Sequence, residues 1–143
     1  MDRLENTVRS SIYYYSCNKG VDSMKEIWKS IIGYENLYEI SNLGHINKKT
    51  ITKINKAGFY QTFQGQAMAF SNRKGYCGVW LRKEDGSRKA YDVHRLVAEH
   101  FCDGQFNGAV VNHKDLDKHN NCSINLEWVT QKENINHYHN SSK

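Results

Sequence analysis

Val110-Val-Asn112-His113-Lys-Asp115-Leu-Asp117-Lys-His119-Asn120-Asn121-Cys-Ser-Ile-Asn125-Leu-Glu127-Trp128-Val-Thr130-Gln-Lys-Glu133-Asn134-Ile-Asn-His137 is the stretch on which the fold turns. The short apolar run Ala109–Val111 predicts a strand ending in a histidine. A loop dense in Asp and Asn follows, from Lys114 to Ser123, and Glu127–Thr130 predicts a return strand. Thr130 can cap a final helix over Gln131–His139, with Glu133 at the third helical position completing a capping box. This order of strand, loop, strand and helix brings a strand-end histidine beside a residue on the helix.

Upstream, His94–Phe101 reads as a short helix, with Leu96, Val97, His100 and Phe101 on one face. Before it, Tyr76–Leu81 and Lys89–Val93 flank an Asp85-Gly86 turn and predict a hairpin. Residues 48–74 are rich in Lys, Asn, Gln and Gly, with Phe59, Tyr60, Phe63 and Phe70 interleaved among the cations. Tyr34–Ile40, the turn Ser41-Asn42-Leu43-Gly44 and the return His45–Asn47 predict an earlier hairpin. Residues 1–23 carry a Tyr13-Tyr14-Tyr15 run without a clear period. They read as a poorly ordered extension or upstream start, or as a short helix over Asp2–Ser10 packing through Leu4 and Val8. The fold class expected is α+β.

The 143 residues suffice for one modest domain or two very small modules sharing a core. A formal net charge of +5 and a pI near 9.0 suit a nucleic-acid partner, because Lys and Arg neutralise phosphates. Cys17, Cys77, Cys102 and Cys122 include no close pair, so structural zinc is not expected and the thiols read as free in a reducing compartment. There is neither an apolar run near ~18 residues nor the h-region of a signal peptide. The expected location is therefore the cytoplasm, with no membrane partner.

The residue types fit phosphodiester hydrolysis. A neutral histidine takes a proton from water near working pH. A hydrated Mg²⁺ (or Mn²⁺), held by a few protein oxygens, phosphate and water, can sit between the strand end and the helix. Asparagine amides can orient the histidine or ligate the ion.

The pieces Val93-His94-Arg95-Leu96-Val97-Ala98, Val111-Asn112-His113-Lys114-Asp115, Asn120-Asn121, Asn125–Thr130 and Glu133-Asn134 resemble, in order, the HNH homing endonucleases of phages and introns. The likeness covers Tyr91–His139. A second one covers Glu26–Asn47: Trp28-Lys-Ser-Ile-Ile-Gly-Tyr34-Glu-Asn-Leu-Tyr38-Glu-Ile-Ser-Asn42-Leu-Gly-His-Ile46 is similar to the NUMOD4 type of DNA-binding module that precedes such nucleases. The resemblance implies an N-terminal β-hairpin module with a basic linker over residues 24–75. A ββα-metal nuclease domain would follow over residues 76–143, cutting double-stranded DNA as a monomer or homodimer in the cytoplasm, the host's if phage-encoded. Carried over by position, His113 is the general base and Asn125 fixes its orientation. Asn134 is a metal ligand on the helix. Asn112 takes a place where some relatives carry Asp as the other ligand, so the site is a carboxylate short unless Asp115 helps. One ion per site is implied, with 5′-phosphate and 3′-hydroxyl product ends. His137, one turn beyond Asn134, is an alternative for the last residue of the motif.

Other residues have plainer readings. Asp115, Asp117, Asn120 and Asn121 suit Asx-type turns; Val111, Leu126 and Trp128 suit a core. Candidate DNA contacts are Asn42, Lys48, Lys49, Arg73, Lys74 and Arg95, with phosphate contacts positioning and base contacts specifying. No helix-turn-helix pattern follows the nuclease segment, so tight recognition of a long site is not expected. The neutral Asn112 keeps a second reading open: a DNA-binding protein with a degenerate, inactive HNH domain.

Overall fold

The computed structural model describes residues 25–141, so the readings of residues 1–23 lie outside the described residues. The fold is α+β. In chain order the strands are β1 (Trp28–Ser30), β2 (Tyr38–Ser41), β3 (Ile46–Lys48), β4 (Ile51–Ile54), β5 (Tyr60–Phe63), β6 (Gln66–Ala67), β7 (Ser71–Arg73), β8 (Tyr76–Arg82) and β9 (Arg88–Asp92). Helix α1 (Val93–Phe101), β10 (Val110–His113), a 3-10 turn (Ser123–Asn125), β11 (Leu126–Val129) and helix α2 (Gln131–Ser141) follow.

Both predicted hairpins form. Strands β2 and β3 pair antiparallel around the Ser41–Gly44 turn, where Gly44 has φ +88°, a backbone region that disfavours any Cβ. Tyr34 to Leu37 is a hydrogen-bonded turn rather than the start of the strand. Strands β8 and β9 pair around Asp85-Gly86, whose Asp85 carboxylate accepts from the Ser87 N–H and hydroxyl.

The basic stretch 48–74 is more structured than a linker. It contains the two-stranded ribbon β4–β5, closed by an Asn55 turn, then β6, which joins β3, and β7, which joins β8. The ribbon exposes Ile54, Phe59, Tyr60 and Phe63.

One apolar core runs through the described chain. Ile31, Tyr34, Tyr38, Ile40 and Ile46 pack with Val79, Leu81, Val93, Leu96, Val97, Val111, Leu126 and Trp128. Burial of side chains of this size contributes roughly 1.5–3 kcal/mol each, so the two ends stabilise each other. Polar clamps reinforce them. The Ile32 N–H donates to His100 Nε2 on α1 at 3.0 Å, and the Ser123 N–H donates to the Asn42 carbonyl at 2.8 Å.

The cysteine reading needs one correction. Cys77 and Cys102 are free, but Cys122 is disulfide-bonded. Lack of a close pair in sequence excludes a local clip, not a bond between distant positions. Among the described residues no helix is long and apolar enough to cross a membrane.

Candidate active site

Strands β10 and β11 pair antiparallel with Val111 opposite Trp128, Asn112 opposite Glu127 and His113 opposite Leu126. Helix α2 packs against β10. Its start follows the predicted capping box. Thr130 Oγ1 accepts from the Glu133 N–H, and Glu133 Oε1 accepts from the Thr130 N–H, both at 3.1 Å. The cap is worth about 1 kcal/mol and fixes the turn that carries Asn134.

His113 is 1% exposed. Its Nε2 lies 2.9 Å from Asn121 Oδ1. With the amide oxygen facing the ring, Nε2–H donates, and Nδ1 is left as the unprotonated nitrogen. Burial lowers the His113 pKa below the ordinary histidine value, although the Asn121 bond and the charges of Asp115 and Asp117 oppose the shift. The ring is therefore neutral near pH 7.

Aromatic rings wall the imidazole. Tyr76 stacks on His94 at 4.7 Å between centroids and on His113 at 5.9 Å, and His94 lies 5.0 Å from His113. Burial pushes His94 down to about 3, helped by His113 and Arg95, so it too is neutral. Lys118 Nζ sits over the Tyr76 ring at 4.7 Å. Its alkyl chain and ammonium lie beside the Lys74-Gly75 turn, close to where a Cβ on Gly75 would be.

The loop after His113 is knitted around Asp115. Asn120 Nδ2 donates to Asp115 Oδ2 at 2.8 Å, and Asn125 Nδ2 donates to Asp115 Oδ1 at 3.0 Å. The Asp117 N–H also donates to Asp115 Oδ1, at 2.8 Å, and the Asp115 N–H donates to Asn125 Oδ1 at 3.1 Å. Burial alone would raise the Asp115 pKa; the bonds from Asn120, Asp117 and Asn125 outweigh it and hold the carboxyl below its usual range. Leu116 adopts φ +66°, an uncommon backbone for this residue type.

This geometry corrects the expected role of Asn125. It does not hold the His113 ring; its side chain staples Asp115 to the Asn120 carbonyl. The residue that orients His113 is Asn121. Asn121 in turn abuts Gly44, where an added Cβ would lie 3.0 Å from Asn121 Cβ and from its carbonyl oxygen. The N-terminal hairpin thus braces the residue that orients the imidazole.

Two asparagine oxygens at the expected metal positions are orphans. Asn112 Oδ1 and Asn134 Oδ1 are both buried without a hydrogen-bond partner. Asn112 Nδ2 donates to Glu127 Oε1 at 3.2 Å. Both Asp115 oxygens accept hydrogen bonds within the loop, from Asn120, Asn125 and the Asp117 N–H. His137 Nε2 donates to the Lys114 carbonyl at 3.1 Å; it ties α2 to the loop.

The predicted DNA contacts divide. Asn42 is 4% exposed and structural, its side chain accepting from the Ile27 N–H and donating to the Lys25 carbonyl, which corrects its reading as a contact. The residue that makes the turn in sequence also fills it in space. Lys49 Nζ donates to Ser30 Oγ and to the Glu35 carbonyl. Arg73 pairs with Asp92 at 3.0 Å. Arg95 pairs with Glu99 at 3.4 Å and lies over Trp128. Lys48 and Lys74 are exposed.

Sequence reasoning missed Tyr76, Lys118 and Glu127, and gave Asn121 only to the loop. Glu127 was legible in principle, since pairing the two strands antiparallel places it opposite Asn112.

Residues 26–82 match the NUMOD4 motif. The DNA endonuclease I-HmuI of Bacillus phage SP01 is 43% identical over 109 residues, covering 76% of this chain and 55% of that protein. An HNH endonuclease of Acanthamoeba polyphaga mimivirus is 43% identical over 111 residues, covering 77% of this chain and 29% of that protein. The chain thus spans about half the length of the phage relative, and less of the viral one. Among solved structures, that of the HNH homing endonuclease I-HmuI, described as binding and cleaving DNA, superposes with a TM-score of 0.66 at 39% identity. It covers 81% of this chain and 59% of that one. In sequence and fold the chain is similar to the HNH homing endonuclease I-HmuI, and its residues 26–82 carry a NUMOD4 motif.

Proposed function

We propose that the chain is a divalent-ion-dependent DNA endonuclease of the homing type, in which His113 activates water against a phosphodiester. The observation that carries this reading is the His113–Asn121 pair, which keeps a neutral imidazole in one tautomer with Nδ1 basic. A positioned general base contributes about 10²–10⁴-fold. The water proton passes to Nδ1, the water oxygen bonds to phosphorus, and the P–O3′ bond breaks, the leaving 3′-oxygen taking a proton from solvent, to give 5′-phosphate and 3′-hydroxyl ends.

The residues present fit a divalent ion. Asn112 and Asn134 each bring a buried amide oxygen that no protein donor satisfies, and buried polar atoms normally find partners. These two would hold it. When bound, Mg²⁺ or Mn²⁺ would offset charge on the scissile phosphate and the leaving 3′-oxygen. The chain's own contribution is to fix the base, orient the ligands and exclude water with Tyr76 and His94. Lys74 and Lys118, at the rim beside Tyr76, supply phosphate contacts, and Lys48 extends them.

Residues 24–75 serve in this reading as the DNA-binding module and residues 76–143 as the nuclease. One centre per chain suits nicking by a monomer or two-strand cutting by a homodimer, on double-stranded DNA in the host cytoplasm. The neutral Asn112 favours one competing reading, DNA binding without cleavage. Plasmid nicking with Mg²⁺ or Mn²⁺ separates them: His113→Ala loses the activity if the first reading holds, and wild type shows none with any divalent ion if the second does.

A further inference from the structure

The weak point of the site is charge. Two neutral amides ligate a divalent ion poorly, because hard cations prefer carboxylate oxygens. Among the described residues no group of three His, Cys, Asp or Glu side chains is placed to hold an ion. Asp115 is committed to Asn120, Asn125 and the Asp117 N–H.

Glu127 stands directly across the strand pair from Asn112, on the same face, because opposed residues of an antiparallel pair project together. Its Oε1 accepts from Asn112 Nδ2 at 3.2 Å. That bond fixes the Asn112 amide, 3% exposed, with its nitrogen towards Glu127 and its buried Oδ1 left without a partner. Among the described residues Glu127 forms no ion pair, so its charge is not consumed by a lysine or arginine. A half-buried carboxylate without a cation, bonded to an amide whose oxygen is orphaned, is an arrangement that a cation would complete.

We propose that Glu127 is the anionic ligand of the divalent-ion site, supplying from β11 the carboxylate that Asn112 does not supply from β10. One of its oxygens holds the Asn112 amide, and the other is open to the ion. This rests on the reading of Asn112 and Asn134 as ligands. It is independent of whether His113 is the base, since it concerns metal affinity and not cleavage.

The test is Mn²⁺ titration of the protein without DNA, followed by the loss of the free-ion EPR signal. Asn134→Ala marks the site: the ion it loses is the one under test. Glu127→Gln keeps an oxygen acceptor for Asn112 but removes the charge, and should weaken that ion about tenfold or more. Asn112→Asp/Glu127→Gln, which moves the carboxylate back across the strand pair, should recover affinity to within a few-fold of wild type. Wild-type affinity in Glu127→Gln would overturn the proposal, as would a double variant that stays as weak as the single one. Melting curves check folding. If Glu127→Gln folds poorly, Glu127→Asp decides. Retention within a few-fold supports an anionic ligand, and a loss as large as that of Asn134→Ala overturns it. Whether His113→Ala loses nicking is a separate measurement that neither outcome changes, so the two readings fail separately.

Discussion

Replacing Asn121 by Leu removes the hydrogen-bond acceptor from the His113 ring while keeping the side-chain volume. The ring is 1% exposed, so water does not readily replace the lost partner. An orphaned buried donor costs about 1–3 kcal/mol, which in a domain of this size lowers Tm by roughly 3–10 °C. The effect on rate has two parts. The lost bond held the Nε2–H tautomer by about 0.5–1.5 kcal/mol, or roughly 2–13-fold in population. The ring also loses its fixed orientation, and substitutions at orienting partners cost about 10–100-fold. The expected result is a nicking rate reduced about 10–100-fold below the melting transition, with Mn²⁺ affinity unchanged. Supercoiled-plasmid nicking and Mn²⁺ titration on the same preparation measure both. A rate within twofold of wild type would refute the reasoning that Asn121 sets the tautomer, and an equal fall in Mn²⁺ affinity would show that the site had collapsed instead.

Three further outcomes follow from the same geometry. Because burial lowers the His113 pKa and the proposed base is the unprotonated ring, wild-type kcat/KM should rise with pH through a point below 6.5; Asn121→Asp, which puts a carboxylate beside the ring, should move that limb upward. Gly44→Ala strains a φ of +88° and drives a Cβ to 3.0 Å from Asn121, so Tm and nicking rate should fall together, by an amount corresponding to about 1–3 kcal/mol in stability. Lys74→Ala should weaken DNA binding and lower the slope of log K against log salt by about 1, whereas Asn42→Ala should leave that slope unchanged and lower Tm.

Much of the fold was legible where local chemistry is decisive. Asp85-Gly86 and Asn42-Leu43-Gly44 dictate turns, Thr130 with Glu133 dictates a helix start, and the alternation around Val79 and Leu81 dictates a half-buried strand. Strands β4 to β7 were not legible, because Lys, Asn, Gln and Thr there carry no apolar period and pairing rather than burial holds them. The site was legible as a set but not as a network. Order along the chain singles out His113, Asn125 and Asn134, yet which asparagine faces the ring depends on how the Asp115 loop closes, and that closure is tertiary. Asn42 shows the converse. A residue that favours turns is easily taken for a surface contact, and only packing against Ser123 and Ile27 reveals it as part of the interior.

The most direct measurement is nicking of a supercoiled plasmid by wild type and His113→Ala with Mg²⁺ or Mn²⁺, with the product ends mapped. Wild type should leave 5′-phosphate and 3′-hydroxyl ends, and the variant should be at least about 10²-fold slower, at unchanged Mn²⁺ affinity. Equal rates in the two proteins would contradict this.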